Sequence, residues 1–285
     1  MSFLKLHFLF LFSIVILSAG CYEEQEGCLD FEATNFDVDA DNPCPDCCRY
    51  PQLSLAILNK PLASDTMRSF KLGSIYQLPH DTTLLLKVKK AWIYLSDIQL
   101  IKTGGDVVDV SDTVSLDYVL SRGDTVSKTI TDNFAFLLTS SLSDKSIGEI
   151  RTFGSFEGIQ FRVGLKDESR EYVPSSLPNG HPLNFQADSL NWTEEDGYAY
   201  QYWEFYRDTA DIDSTVIRIT APYSDFIQLY QGFEIRKGFN IKLTLRINYL
   251  ELWRDIDPKN MTVEEIRDRL VSNLQNAFSL DKITN

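Results

Sequence analysis

Beyond Cys48 this sequence contains no cysteine, and past its first twenty residues it has two histidines, His80 and His181. Both shortages narrow the chemistry available. A serine triad needs an imidazole beside an activated serine, and in Gly154-Ser155-Phe156-Glu157-Gly158 the serine is misplaced for a nucleophile elbow. No phosphate loop or dinucleotide fingerprint occurs. Carboxylates abound, but nothing singles out a pair for glycoside hydrolysis. The chain therefore reads as non-enzymatic. Cations are also scarce: 27 Lys+Arg stand against 41 Asp+Glu, a net charge of −14, which excludes a nucleic-acid partner that must neutralise phosphates. Apolar residues are not lacking. At 44% hydrophobic and 12% aromatic the composition is globular rather than disordered, and 285 residues allow one large domain or two small ones.

Residues 1–20 read as a signal peptide: Lys5, an apolar stretch from Phe8 to Leu17, then the small residues Ser18-Ala19-Gly20. That stretch is shorter than the roughly 20 apolar residues a membrane span needs. Leu17-Ser18-Ala19-Gly20-Cys21 resembles a bacterial lipobox, although Ser18 stands where an apolar residue is usual. The resemblance implies that Cys21 becomes the lipid-bearing N-terminus and joins the protein to a membrane. Cleavage removes Lys5 and no acid, leaving 26 cations against 41 acids, a net charge of −15. The run Tyr22-Glu23-Glu24-Gln25-Glu26 resembles the surface-export signal of Bacteroidota lipoproteins, which implies an outer-membrane lipoprotein on the cell surface. Its plainer reading is a solvated tether.

Residues 21–51 form an acidic, cysteine-rich segment. With Cys21 assigned to lipid, Cys28, Cys44, Cys47 and Cys48 remain, and a clustered even set in an exported chain predicts two disulfides. Three pairings are open, the vicinal Cys47–Cys48 bridge being the most strained. Zinc competes for such a cluster but suits an oxidising compartment poorly. Asp37, Asp39 and Asp41 alternate in a turn-rich loop that could surround calcium with oxygens. The loop resembles thrombospondin type 3 repeats and the Cys-bracketed modules that open Bacteroidota surface proteins. It lacks the turn glycine and bidentate Glu of an EF-hand, so a solvated acidic turn is the competing reading.

From Gln52 to the end the dominant period is two. Phe239 to Tyr249 alternates apolar and polar without a break, and Ile159 to Val163 does the same. Further strand candidates are 53–58, 84–88, 91–101, 115–120, 133–138, 197–206 and 215–220, separated by turns such as Thr103-Gly104-Gly105-Asp106 and Pro178-Asn179-Gly180. The pattern predicts an all-β fold, an antiparallel sandwich over 52–285. One helix is expected near the C-terminus. Thr262 and Glu265 make a capping box, and Ile266, Leu270, Leu274 and Phe278 make an apolar stripe. Residues 144–153 suggest a loop with a single helical turn.

In 198–206, Tyr198, Tyr200, Tyr202 and Tyr206 fall on one side of a strand and Trp203 and Phe205 on the other. Buried packing is one reading; the other is a row of rings, Tyr202 and Trp203 among them, that binds a glycan or a protein. Several pieces then resemble the MbnP-like family of exported, all-β copper-binding proteins. They are the strand Ala91 to Leu100, Phe161-Arg162-Val163-Gly164-Leu165-Lys166-Asp167, His181-Pro182-Leu183, Leu190-Asn191-Trp192, Gly197-Tyr198 leading to Glu204, and Leu252-Trp253 with Ile256-Asp257. The resemblance implies copper, with His181 and Trp192 at matching positions, and a dihaem peroxidase-like protein as partner. Asn191 stands where the family often has a histidine, Glu194 where it has a second tryptophan, and Phe205 where a glycine is usual.

Overall fold

The computed structural model describes residues 23–65, 67–110, 112–120, 123–139, 144–186, 190–221 and 225–284. Cys21 lies outside them. The chain divides between Arg49 and Tyr50 into two compact units.

In the first unit, strand β1 (Glu26–Gly27) pairs in parallel with β2 (Asn42–Pro43). A disulfide joins Cys28 to Cys48 across 20 residues, a loop whose closure removes about 3 kcal/mol of unfolded-state entropy. The second expected bridge is not formed, and Cys44 and Cys47 are free thiols. A 3-10 turn at Pro45–Cys47 aims the Cys47 thiol at the Cys44 carbonyl, 2.9 Å away. In the acidic ladder two carboxylates accept backbone N–H groups. Asp37 Oδ1 accepts the Asp39 N–H at 3.0 Å, and Asp41 Oδ2 accepts the Gln25 N–H at 3.0 Å. Asp37 thus closes a turn of its own backbone, and Asp41 ties the loop back to the chain ahead of β1. Among the described residues no three His, Cys, Asp or Glu side chains are grouped to hold a metal ion.

The second unit begins with β3 (Gln52–Lys60), β4 (Ile75–Leu78), β5 (Asp81–Lys102), β6 (Val107–Asp109), β7 (Asp112–Val119) and β8 (Thr125–Asp132). It continues with β9 (Ala135–Leu138), β10 (Lys145–Glu149), β11 (Gly154–Val163), β12 (Trp192–Thr193), β13 (Gly197–Tyr198) and β14 (Gln201–Phe205). The last strands are β15 (Thr215–Ile219), β16 (Ile227–Ile235), β17 (Ile241–Asn248) and β18 (Phe278–Thr284). One sheet runs β10-β3-β17-β18; the other runs β15-β14-β5-β11-β16, with β4, β6 and β9 also paired to β5. This is the all-β sandwich that the period-two pattern predicts. Pairing in the second unit is antiparallel except between β3 and β17, which are parallel. Parallel neighbours need a crossover, and here the whole of the larger sheet lies between them in sequence.

Alternation decides what faces inward. Leu53, Leu55 and Ile57 of β3 and Ile241, Leu243, Leu245 and Ile247 of β17 are buried, while the residues between them are half-exposed. They meet Leu86, Val88, Ala91, Ile93 and Leu95 of β5 in the main core. The helix Val263–Ser272 covers one end of that core with Ile266 and Leu270. Its capping box forms as expected: Thr262 Oγ1 accepts the Glu265 N–H at 3.2 Å, and Glu265 Oε2 accepts the Thr262 N–H at 2.8 Å.

Two local expectations change. Residues 145–149 are strand β10 rather than a helical turn, because Ile147 and Ile150 reach the main core and the backbone pairs with β3. The helical stripe also stops short of Phe278. Asn273 ends the helix by donating its side-chain amide to the carbonyls of Leu252 and Arg254, and Phe278 opens β18 on the edge of β17.

Along β14 and the middle of β5 the larger sheet is apolar on both faces. Trp203 and Phe205 of β14 point into the main core, where Trp203 meets Trp253 edge-on with ring centroids 5.8 Å apart. Tyr202, with Trp92 and Tyr94 of β5, points the other way into a second cluster that includes Phe136, Tyr172, Tyr198 and Tyr200. Trp92 and Tyr202 stack at 4.0 Å. The hairpin of β7 and β8 covers this cluster with Leu116 and Ile130.

Between β11 and its two neighbours the register shifts at Phe156/Gly158. A Cβ on Gly158 would overlap the Leu229 carbonyl oxygen of the adjacent strand. Gly158→Ala is therefore expected to destabilise the protein by about 1–3 kcal/mol, as overpacking typically does. The check is a urea titration, in which the midpoint falls while the slope is unchanged; an unshifted midpoint would mean that β16 yields freely.

Candidate functional site

The second aromatic cluster carries the segments 178–186 and 190–192 on its outer side. His181 opens this segment through a turn in which its N–H reaches the Pro178 carbonyl at 3.1 Å. The next two carbonyls are held from beneath by phenols: Tyr94 donates to Pro182 O at 2.7 Å and Tyr198 to Leu183 O at 2.5 Å. Burial raises both phenols above the ordinary tyrosine range, so they remain neutral donors. Gln186 donates its side-chain amide to the carbonyls of His181, Pro182 and Asn184. Asn191, 1% exposed, donates to Tyr94 Oη at 3.1 Å and to Asn184 O at 3.0 Å, and accepts the Gln186 N–H. Where the resemblance led one to look for a second imidazole, the chain has a fully committed structural amide.

His181 is itself largely committed. Its Nδ1 accepts the Leu183 N–H at 3.1 Å, which puts the ring proton of the neutral form on Nε2. Nε2 is 3.2 Å from Asp132 Oδ1 without the alignment of a hydrogen bond, and the ring meets Phe134 edge-on. Trp192 has different neighbours: its ring lies edge-on to Phe185 at 5.8 Å and its backbone pairs with Tyr198. A metal at Nε2 would need the proton moved to Nδ1, where the Leu183 N–H already points. The donor set is then one obstructed imidazole, one carboxylate and an indole that offers only an N–H, which does not fit the nitrogen- and sulfur-rich set copper prefers.

Glu204 is equally occupied. Burial would raise its carboxyl, but hydrogen bonds from Lys89 at 2.7 Å and Ser214 at 2.6 Å outweigh it and hold the group below the ordinary range. Tyr202 and Trp203 are 4% and 0% exposed, so the row of ligand-binding rings proposed from sequence is instead shared between the two cores.

What lies open is a cleft of about 590 Å³ beside Trp192. Tyr118, Tyr172, Phe185 and Trp192 supply its rings, and Arg170, Glu171 and Glu194 its charged groups. Tyr118 and Tyr172 are joined by a backbone bridge that fastens the hairpin to the segment after Asp167–Glu171. Burial and the neighbouring Glu168 carboxylate push the Tyr172 phenol up, and its hydroxyl donates to Glu168 at 3.0 Å. Of this lining, Trp192 and Glu194 could be singled out from sequence. The others come from separate segments, and no local pattern joins them.

The phenol bracket generates a prediction. Tyr198→Phe leaves the Leu183 carbonyl without its donor in a buried site, which costs about 1–3 kcal/mol. Chemical denaturation should show that loss, and an equal loss in Tyr172→Phe, whose partner reaches water, would argue against the bracket.

Comparison with known proteins adds the family. No curated protein matches the chain. A solved structure, MbnP from Methylosinus trichosporium, is similar at 12% identity with a TM-score of 0.33, covering 73% of this chain and 79% of that one. The family model of MbnP matches residues 60–267, from the end of β3 into the capped helix. The chain belongs to the MbnP family.

Proposed function

We propose that this protein is an exported lipoprotein, held at the outer surface of the outer membrane by lipid on Cys21, whose MbnP-family domain is a non-enzymatic binding module. The observation that carries the reading is the cleft beside Trp192. Ligand sites are concave, mainly aromatic or apolar, and carry a few polar groups that fix orientation. Four rings with Arg170, Glu171 and Glu194 have that composition. Aromatic faces stack on the apolar faces of sugar rings while charged groups take up hydroxyls, so a glycan is the ligand class that matches best. The rings come from segments braced against a buried cluster, so little ordering entropy opposes binding.

Copper handling, with a dihaem peroxidase-like protein as partner, is the competing reading. Its support is the buried Nε2 of His181, which has no hydrogen-bond partner. Against it stand the occupied Nδ1 and the committed Asn191.

Elemental analysis of protein from its native host separates the two. Far less than one copper per chain is expected, and stoichiometric copper lost in His181→Ala would overturn the binding-module reading. On a glycan array, Trp192→Ala should weaken binding about tenfold or more, equivalent to ~1.4 kcal/mol, while Trp192→Phe retains most of it. No glycan binding by the unaltered protein would count against the cleft. For the anchor, Cys21→Ser should move the protein from the membrane fraction to the soluble one. Protease added to intact cells should degrade the anchored form.

A further inference from the structure

The first unit contains a pair of thiols that neither the family domain nor the cleft uses. Cys44-Pro45-Asp46-Cys47 folds over the 3-10 turn Pro45–Cys47, with the Cys47 N–H on the Cys44 carbonyl at 3.1 Å. In a 3-10 turn, positions three apart eclipse one another. The two cysteines therefore share one side of the turn, at a spacing compatible with the Cα separation of about 4.4–6.8 Å that a disulfide accepts. Both are half-buried and both are free, while the next residue, Cys48, is already bridged to Cys28. One short segment thus holds a closed bridge and an open dithiol.

We propose that Cys44 and Cys47 form a reversible redox pair that passes two electrons to an incoming disulfide. The Cys44 thiolate attacks one sulfur of that disulfide. A mixed disulfide forms, and the first leaving thiolate takes the electron pair and a proton. The Cys47 thiol then gives up its proton and attacks the Cys44 sulfur, closing Cys44–Cys47 and releasing the second thiolate. Two thiols of the chain are oxidised, one external disulfide is reduced to two thiols, and two protons follow the electrons. The order of attack has a physical basis. The Cys44 side chain, and then burial, push the Cys47 thiol up, so it keeps its proton until the second step. The proposal is independent of the lipid anchor and of the cleft.

The test uses full-length protein in detergent, equilibrated with glutathione mixtures from fully reduced to fully oxidised, then acid-quenched and alkylated. Asp-specific digestion cuts between Cys44 and Cys47, so each thiol is read separately. Labelling of both should fall together by about tenfold or more across the series. A Cys44–Cys47 cross-link should appear and revert when reduced glutathione is restored, with Cys28–Cys48 unlabelled throughout. Cys47→Ser should trap glutathione on Cys44, and Cys44→Ser should leave Cys47 without a bridge. An intact Cys28–Cys48 link in each variant reports that the unit still folds. Thiols that respond independently, that bridge to Cys28 or Cys48 instead, or that do not respond would overturn the proposal.

Discussion

Between Ala91 and Leu95 strand β5 has no wet side: Ala91, Ile93 and Leu95 enter one core and Trp92 and Tyr94 the other, and each face must be covered. Burial of the larger of these side chains contributes roughly 1.5–3 kcal/mol apiece to folding, which a two-layer sandwich with one wet face would forfeit on one side. The four-stranded sheet with the capped helix covers one face. The β7–β8 hairpin and the segments 165–186 and 190–192 cover the other. Strand β14 repeats the arrangement beside β5, with Trp203 and Phe205 on one side and Tyr202 on the other. The aromatic strand is thus the partition between two cores.

The second cover is made of irregular chain, and that creates a polar problem. Backbone carbonyls placed over a hydrophobic cluster need donors. Tyr94 and Tyr198 are suited to the task because each lies in the cluster by its ring and reaches out by its hydroxyl. Asn191 and Gln186 complete the bracket from above. Asn191, Gln186 and the Nδ1 of His181 are thereby engaged in holding the loop. The same bracket gives Trp192 a fixed backbone, leaving its ring toward the cleft.

Most of the fold was legible because period-two burial is a local signal. Strands β3, β11, β15 and β17 follow from alternation alone, and the sides of Trp203 and Tyr202 follow from their parity. The helix start was legible from Thr262 and Glu265, since a capping box is written within four residues. Its end was not, because Leu274 and Phe278 continue the helical spacing while Asn273 is captured by carbonyls about twenty residues earlier. Residues 144–153 hid a strand because its partner, β3, is distant in sequence. The site was less legible for the same reason. His181 and Trp192 were visible as motif residues, but whether a nitrogen is free depends on the Leu183 N–H and Asp132, which spacing does not reveal. The cleft was invisible, being assembled from separate stretches of chain.

The hairpin of β7 and β8 pairs along its length with itself, and its backbone ties to the cluster run through Tyr118, Asp117 and the segment 172–176. A layer held in this way can lift as a cooperative unit at less free energy than the whole molecule needs to unfold. Amide hydrogens of β3 and β17, inside the four-stranded sheet, would then exchange by global opening, while those binding Tyr118 to Tyr172 exchange sooner. Because Tyr118 and Tyr172 are also walls of the cleft, an occupant there would clamp the hairpin down. Occupancy and the rigidity of this outer layer would then be one linked equilibrium.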